Sequence, residues 1–530
     1  MLNRQKSPLF PLLTSFSGSI RLPYALLSFF IFLHAALTLA ASLTLRHEFK
    51  TAAQDGATFA QLLFNVIHGN GLVTTIFPPG IAQPWLGIHF SPVLYALTPI
   101  YYLFPHIETL LVIHSVFIAL AAWPIFLTAE YLLHSRWQAL LVSLLYLVNP
   151  FVVNGAVWDF HEIAFAPLIM GFIVWSIVCK KRTHLLVFCA LLLTIKEHYG
   201  LAVFGSGLLW AWHWRDVRFG AALAAFGLAA LALILLVIMP HYHLDNHLVW
   251  TNSNQAGWVQ RFSWLNHPFG PDSLLPDIMS RGFFYIVHLV LALWFLPLME
   301  LIWWLPGLAD IAINGLANGD IMKSEFSYHS AALMPVIIIA AIVYIAKRFS
   351  PKNNLKPVDV LIAMMLTSCF GSYMFTIDTN IWEISPPRLT LLAEDQKALD
   401  GLNRLIPKNA SVAAQFNALP QIDTRKEMYQ FPQHPGDATY IVLYAYYPFD
   451  NAIGVFDSPY GDGGAKQYFF AVRALFTSPN WHVIYFSNGW TLFQKGGAEK
   501  LDAQQKALQV FKDTEETYDT LLCLFKPKKH

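Results

Sequence analysis

Long apolar runs recur between Leu22 and Phe375, and they constrain everything else about this chain. Leu22 to Leu45 and Thr109 to Leu133 are each long enough for a helix to cross a hydrocarbon layer, which takes about 20 residues. Composition agrees. The chain is 56% hydrophobic and 15% aromatic, with only 13% charged residues, where soluble domains carry about 25%. It reads as a polytopic α-helical membrane protein. A formal net charge of +1 gives no hint of nucleic-acid binding. Cys179, Cys189, Cys369 and Cys523 stand far apart, with neither metal-ligand spacing nor a disulfide framework. The N-terminal stretch carries Arg4 and Lys6 but no clean cleavage site, so Leu22 to Leu45 reads as a retained first span rather than a signal peptide.

Arg4, Lys6 and Arg21 precede that span and place the N-terminus in the cytoplasm by the positive-inside rule. Phe90 to Phe104 is about 15 residues and is broken by Pro92 and Pro99, short for a crossing. It reads as an interfacial or re-entrant segment on the outer side. Arg136, Lys180-Lys181-Arg182, Arg215, Arg218 and Lys347-Arg348 then all fall inside, with about eleven crossings in total. The expected organisation is a membrane module over 1–378 with a large first outer loop at 46–107. After Ser385-Pro386-Pro387, an extracytoplasmic α/β domain over 379–530 is expected.

In that domain Glu394 to Leu405 has helical periodicity, and Ser411 to Ala414 and Tyr440 to Tyr444 are rich in β-formers. Gly464 to Leu475 reads as a helix. His482 to Phe486 and Trp490 to Phe493 form a hairpin across Ser487-Asn488-Gly489. The tail from Ala498 reads as a surface helix. The domain holds no P-loop and no dinucleotide fingerprint. A multi-pass protein of the plasma or bacterial inner membrane is expected.

The loop from Thr51 to Pro92 is the stretch most suggestive of chemistry. Phe59, Leu62, Leu63 and Val66 form an apolar stripe at helical spacing, which suits a helix lying flat at a membrane surface. Asp55, Gln61, Asn65 and His68 are expected on its wetter sides. Asp55 is the candidate catalytic base; as a simple helix cap it would do no chemistry. Further candidates are His89, the Asp159-Phe160-His161-Glu162 motif, the Lys196-Glu197-His198 motif and His329. Each has a plain alternative. The plain alternative for the Lys196 motif is an outer turn with a local Lys–Glu contact, and for His329 an interfacial aromatic-belt neighbour. Together they gather acids, histidines and a lysine on one side of the membrane, a set suited to a lipid-phosphate substrate.

These motifs resemble a family of membrane proteins known as domain of unknown function 2079. The resemblance rests on Asp55-Gly56 with Gln61, Asn65 and His68-Gly69, on Gly87-Ile88-His89-Phe90-Ser91-Pro92, and on Asp159-Phe160-His161, Lys196-Glu197 and His329 with Pro335. It covers nearly the whole chain. That family is similar in layout to the C-type (GT-C) glycosyltransferases, which have many spans and a catalytic acid in a large first outer loop. The resemblance implies a polyprenyl-phosphate sugar donor and a lipid, glycan or protein acceptor, with Asp55 as base. It implies donor-phosphate or metal contacts at Lys196, His161 and His198, and it leaves a divalent metal ion open as cofactor. The family's usual Asp-Leu-Gly reads Asp55-Gly56-Ala57 here, and no second acid is expected beside Asp55. Two other classes stay open: a transporter or flippase of lipid-linked glycan, and a non-catalytic membrane protein whose outer domain binds a partner.

Overall fold

The computed structural model describes residues 21–47, 51, 53–77, 82–243, 263–266, 268–270, 274–317, 322–325, 327–349, 355–381, 393–432, 438–446 and 464–525. The expected linker at Ser385-Pro386-Pro387 and most of the loop from His241 to Ser280 lie outside them. Among the described residues, five helices are long and apolar enough to cross a membrane: Leu22–His47, Ile107–Leu133, Val217–Tyr242, Leu296–Leu316 and Tyr328–Arg348. A sixth candidate is the pair Arg136–Leu147 and Pro150–Val157, bent by 53°. The bend falls at Asn149-Pro150. Proline cannot donate a helical hydrogen bond, and the Asn149 side chain instead accepts from the Phe151 amide at 3.1 Å. Glu162–Val178, Arg182–Leu192 and Pro357–Ser372 are apolar but shorter. Length and composition therefore give five or six crossings, against the eleven read from hydropathy and charge. The larger count needs the short helices to cross as well.

The Phe90 to Phe104 run breaks into a 3-10 turn at Pro92–Leu97 and a short helix at Thr98–Leu103. Proline at the start of each piece interrupts the ladder. Neither piece is a continuous crossing helix.

The C-terminal residues build a five-stranded mixed sheet. Its strands are β3 (Val412–Gln415), β4 (Met428–Phe431), β5 (Tyr440–Tyr444), β6 (Trp481–Ser487) and β7 (Trp490–Lys495), in the order β4-β3-β5-β7-β6. The pairs β3/β4 and β3/β5 are parallel, while β7 runs antiparallel to β5 and β6. β1 (Val73–Thr74) and β2 (Gln83–Pro84) form a small separate ladder in the first loop. Both faces of the large sheet are buried. Val412, Ala414, Val442 and Leu492 face one apolar core, and Ala413, Ile441, Leu443 and Phe493 face the other. Such strands read as apolar runs rather than alternating ones. Helices Ala393–Leu405, Gly464–Thr477 and Leu501–Phe525 accompany the sheet. The hairpin turn between β6 and β7 holds Asn488 at φ 47° and Gly489 at φ 82°, the left-handed pair that an Asn-Gly turn supplies at low cost.

The first loop is built into this sheet. The helix Thr58–Ile67 forms where the apolar stripe predicts it, and His68 is exposed as expected. Gln61 and Asn65 are not on a wet side: they are 0% and 2% exposed. Gln61 Nε2 donates to the Lys426 carbonyl at 2.9 Å and to Thr75 Oγ1 at 2.8 Å. Asn65 Nδ2 donates to the Val73 carbonyl at 2.7 Å. Thr75 Oγ1 donates to the Met428 carbonyl and accepts from the Met428 amide at 3.0 Å. Ala53, Ala57 and Ile76 share one core with Leu399, Leu419 and Met428. The polar face meets protein backbone instead of water, which corrects the surface-helix expectation.

Thr75→Val keeps the shape and strands three buried groups, the Met428 amide, the Met428 carbonyl and a Gln61 N–H. Each stranded group costs about 1–3 kcal/mol. The variant is expected to unfold at lower denaturant than the native chain in detergent, and an unchanged midpoint would show that the loop is not clamped there.

Candidate functional site

The Ala53–Ala57 turn precedes the helix Thr58–Ile67, and Asp55 sits within it. Asp55 does not cap that helix. The N-cap position is Ala57, without a side-chain cap, and Asp55 Oδ2 accepts from Trp158 Nε1 at 3.0 Å. Withdrawal from water pushes the Asp55 carboxyl up to about 6. The Trp158 hydrogen bond opposes the rise, Glu162 adds to it and Lys196 reduces it. A second acid, Asp159, lies beside the neighbouring Gly56. A Cβ built on Gly56 would lie 3.4 Å from Asp159 Oδ1 and 3.5 Å from Oδ2. The 103-residue separation of Trp158 from Asp55 hid this neighbour.

The Trp158–Glu162 stretch is fixed from below. Ser42 Oγ donates to the Val157 carbonyl at 3.0 Å. His114 Nδ1 accepts from the His161 amide at 3.3 Å, and its Nε2 lies 2.7 Å from the Gly155 carbonyl. This pattern requires the proton on Nε2. The His161 side chain stacks on Tyr328, which stacks in turn on His329, with centroids 4.2 and 4.1 Å apart. On its other side His161 meets Phe59, and a run of edge contacts continues through Trp85 to His89. Burial, with Lys196 nearby, holds His161 down at about 4 against the pull of Glu162. It is neutral at pH 7.

The Lys196-Glu197-His198 motif is not a turn closed by a local Lys–Glu contact. Each of its three side chains reaches a different element. Lys196 Nζ lies 3.0 Å from Glu162 Oε1, and Glu162 Oε2 lies 2.8 Å from His161 Nδ1. Glu197 Oε1 lies 3.2 Å from His89 Nδ1, and its Oε2 accepts from the Phe90 amide at 3.1 Å. His198 Nε2 lies 3.4 Å from Asp310 Oδ1. All these residues are buried except His89 and Phe90, which are partly exposed. Burial pushes His89 below the usual histidine range, with Lys196 assisting. The Gly87 of the His89 motif is required by close approach, because a Cβ there would sit 2.9 Å from the Tyr242 carbonyl and the His243 amide.

Lys196, His198 and His329 meet again at a pocket lined also by Asp310, Asn314, Ile163, Ile313 and Met322. The nine residues singled out in the sequence thus belong to one connected region. Sequence reasoning missed Arg46, His114, Asp310, Asn314 and Tyr328. Asp310 and Asn314 had a usable signal: polar residues four apart in an otherwise apolar helical segment share one face and mark a lined cavity. Arg46 had none. It ends the first span, pairs with Glu108, donates to the Pro420 carbonyl at 3.2 Å and lies in the field of Asp159.

Among the described residues no three of His, Cys, Asp and Glu form a group that could hold a metal ion.

No curated protein matches the chain in sequence. Solved structures that resemble it include two of ArnT from Cupriavidus metallidurans. The one bound to undecaprenyl phosphate has a TM-score of 0.49 at 11% identity, covering 88% of this chain and 98% of that chain. The apo one has a TM-score of 0.45 at 11% identity, covering 89% and 98%. The family-level match is to "Predicted membrane protein (DUF2079)" over residues 46–444. With its several apolar spans and the motifs set out above, the chain belongs to the DUF2079 family of predicted membrane proteins.

Proposed function

We propose that this chain is an integral-membrane glycosyltransferase. It moves a sugar from a polyprenyl-phosphate-linked donor to a lipid, glycan or protein acceptor on the outer face, with the C-terminal α/β domain on that same side. The observation that carries the reading is Asp55: a carboxyl on a loop beside apolar spans, held by an indole N–H, with its pKa raised to about 6. A general base works best with a pKa near the working pH.

Asp55 takes the proton of the acceptor hydroxyl. The acceptor oxygen forms its bond to the anomeric carbon as the bond from that carbon to the phosphate oxygen breaks. The electron pair leaves on the phosphate, and the configuration inverts. Lys196 is the cation available to the departing phosphate. Hydrogen bonds that strengthen as charge develops are the ones that lower the barrier.

A second reading, transport of a lipid-linked glycan, draws on one observation. Carboxylates outnumber fixed cations here, with Asp55, Asp159, Glu162, Glu197 and Asp310 against Arg46 and Lys196. These groups are joined in one connected cluster, which favours transfer.

Mass spectrometry of lipids and glycans from cells lacking the gene separates the two. Transfer predicts a glycan short by one sugar, restored by the native gene. A full-length lipid-linked glycan accumulating on the inner face would replace transfer by transport.

A further inference from the structure

Several basic residues between the spans take no part in the transfer chemistry, and they gather at one end of the helices. Helices Ala166–Val178, Tyr199–Trp214 and Met334–Arg348 start shortly after Glu162, His198 and His329 of the candidate site. They hold 13, 16 and 15 residues, so their other ends lie about 20–24 Å away. There the helix ends are tied together. Lys180 Nζ lies 4.6 Å from the Trp214 ring centroid, and Trp214 Nε1 donates to the Ile177 carbonyl at 2.7 Å. Arg182 pairs with Asp216, which also accepts from Trp210 Nε1 at 3.1 Å. Lys347 Nζ lies 2.8 Å from Glu300 Oε1 and 5.9 Å from the Trp212 ring.

Asp216 and Glu300 are thereby committed to Arg182 and Lys347. Lys180, Arg215, Arg218 and Arg348 are exposed, and among the described residues none of them pairs with a carboxylate. Lys180 and Arg215 hold left-handed backbone, at φ 56° and 55°, where glycine would sit without strain. Arg218 lies in the first turn of Val217–Leu233, where the helix dipole disfavours a cation. These charges are kept against local preference, which points to an anion outside the chain. The surface is also continuous with an apolar flank. The candidate span Val217–Tyr242 starts within it and leaves Val217, Phe226, Leu228 and Leu233 exposed. Exposed cations beside the exposed Trp212 and such a flank fit a membrane–water boundary. A soluble anion or an acidic protein would need no flank of this kind.

We propose that this end of the helices binds anionic phospholipid headgroups in the leaflet facing away from the candidate site. Lys180, Arg215 and Arg218 contact the headgroup phosphates, and the flank of Val217–Tyr242 takes the acyl chains. The ligand class is a phospholipid of net negative charge, the kind that basic surfaces beside spans attract. A zwitterionic headgroup carries its own cation and leaves these three unmatched. The inference goes beyond transfer and holds whether or not the chain is an enzyme.

The test is native mass spectrometry of the purified full-length chain in detergent. The probes are phosphatidylglycerol and phosphatidylcholine with identical acyl chains, offered in equal amounts. The native chain is expected to retain phosphatidylglycerol about tenfold over phosphatidylcholine. The triple variant Lys180→Gln, Arg215→Gln, Arg218→Gln is expected to bring that ratio within about twofold, with an unchanged melting temperature in phosphatidylcholine nanodiscs. A control, Arg404→Gln, Lys408→Gln, Lys512→Gln, removes three exposed cations from the α/β domain and is expected to keep the native ratio. If the triple variant does not fold, Arg215→Gln with Arg218→Gln is read instead, with an expected drop of at least about threefold. Equal retention of the two lipids by the native chain overturns the inference. So does a preference that survives in the folded variant, or one that the control loses equally. Displacement of the bound phosphatidylglycerol by inorganic phosphate would make this a soluble-anion site and overturn it as well.

Discussion

Asp55→Asn is expected to lower transfer by about 100- to 10,000-fold, the range for loss of a general base, without lowering stability. The amide keeps an oxygen that can accept from Trp158 Nε1, so the loop keeps its anchor. It removes a charge that burial disfavours. The carboxyl rises from 3.8 to about 6 on folding, so its ionisation costs the fold nothing below 3.8. The cost grows as pH rises between those values and is complete above 6. A full shift of that size corresponds to about 3 kcal/mol, and residual access to water reduces it. The variant is therefore expected to melt at or above the native temperature at pH 7 and to lose that advantage below pH 4. In the native chain the rate of the proposed transfer is expected to fall as pH drops through about 6, where an ordinary carboxylate base would hold it until about 4. Full activity in Asp55→Asn, or an acid limb near 4, would remove Asp55 from the role of base.

Lys196→Met is expected to abolish activity and also to destabilise the protein, by about 3–5 kcal/mol, because it leaves Glu162 buried without its cation. Both effects arise from one substitution, so the single variant cannot tell a phosphate contact from a structural lysine. The double variant Lys196→Met with Glu162→Gln can. Removing the orphaned charge is expected to restore most of the denaturation midpoint in detergent, because a buried pair replaced as a unit is often close to neutral. Transfer is expected to stay lost. Activity returning together with stability would make Lys196 a structural residue and leave the leaving group without its cation.

Much of the helical architecture was legible from apolar runs, because spans carry their signal locally. The Thr58–Ile67 helix, the paired strands β6 and β7 with their Asn488-Gly489 turn, and strands β3 and β5 formed close to where periodicity and β-formers put them. β4 was missed: four residues, Met428 to Phe431, end at Pro432 and carry Gln430 in the middle, too short to stand out. The candidate residues stand out one by one in the sequence, but their pairing does not. Lys196 with Glu162, Glu197 with His89 and His198 with Asp310 are choices made by packing between distant helices. The plain alternative, a local contact of Lys196 with Glu197, is not the pairing that forms. Gln61 and Asn65 failed for the same reason, since a polar face predicts water only when no other backbone is there to satisfy it.

The shared core of Ala53, Ala57, Ile76 and the sheet bears on how the protein is made. Gln61 bonds to Lys426 across 365 residues of sequence, and Thr75 to Met428 across 353. During synthesis the loop carrying Asp55 emerges from the ribosome early and must wait for nearly the whole chain before its counterpart exists. Chains proceed at about 5–20 residues per second, so the wait is some tens of seconds. A truncated product would insert its spans with an unfinished loop. Activity thus reports on completed chains only, and stop codons late in the reading frame, well after the last apolar span, are expected to behave as nulls.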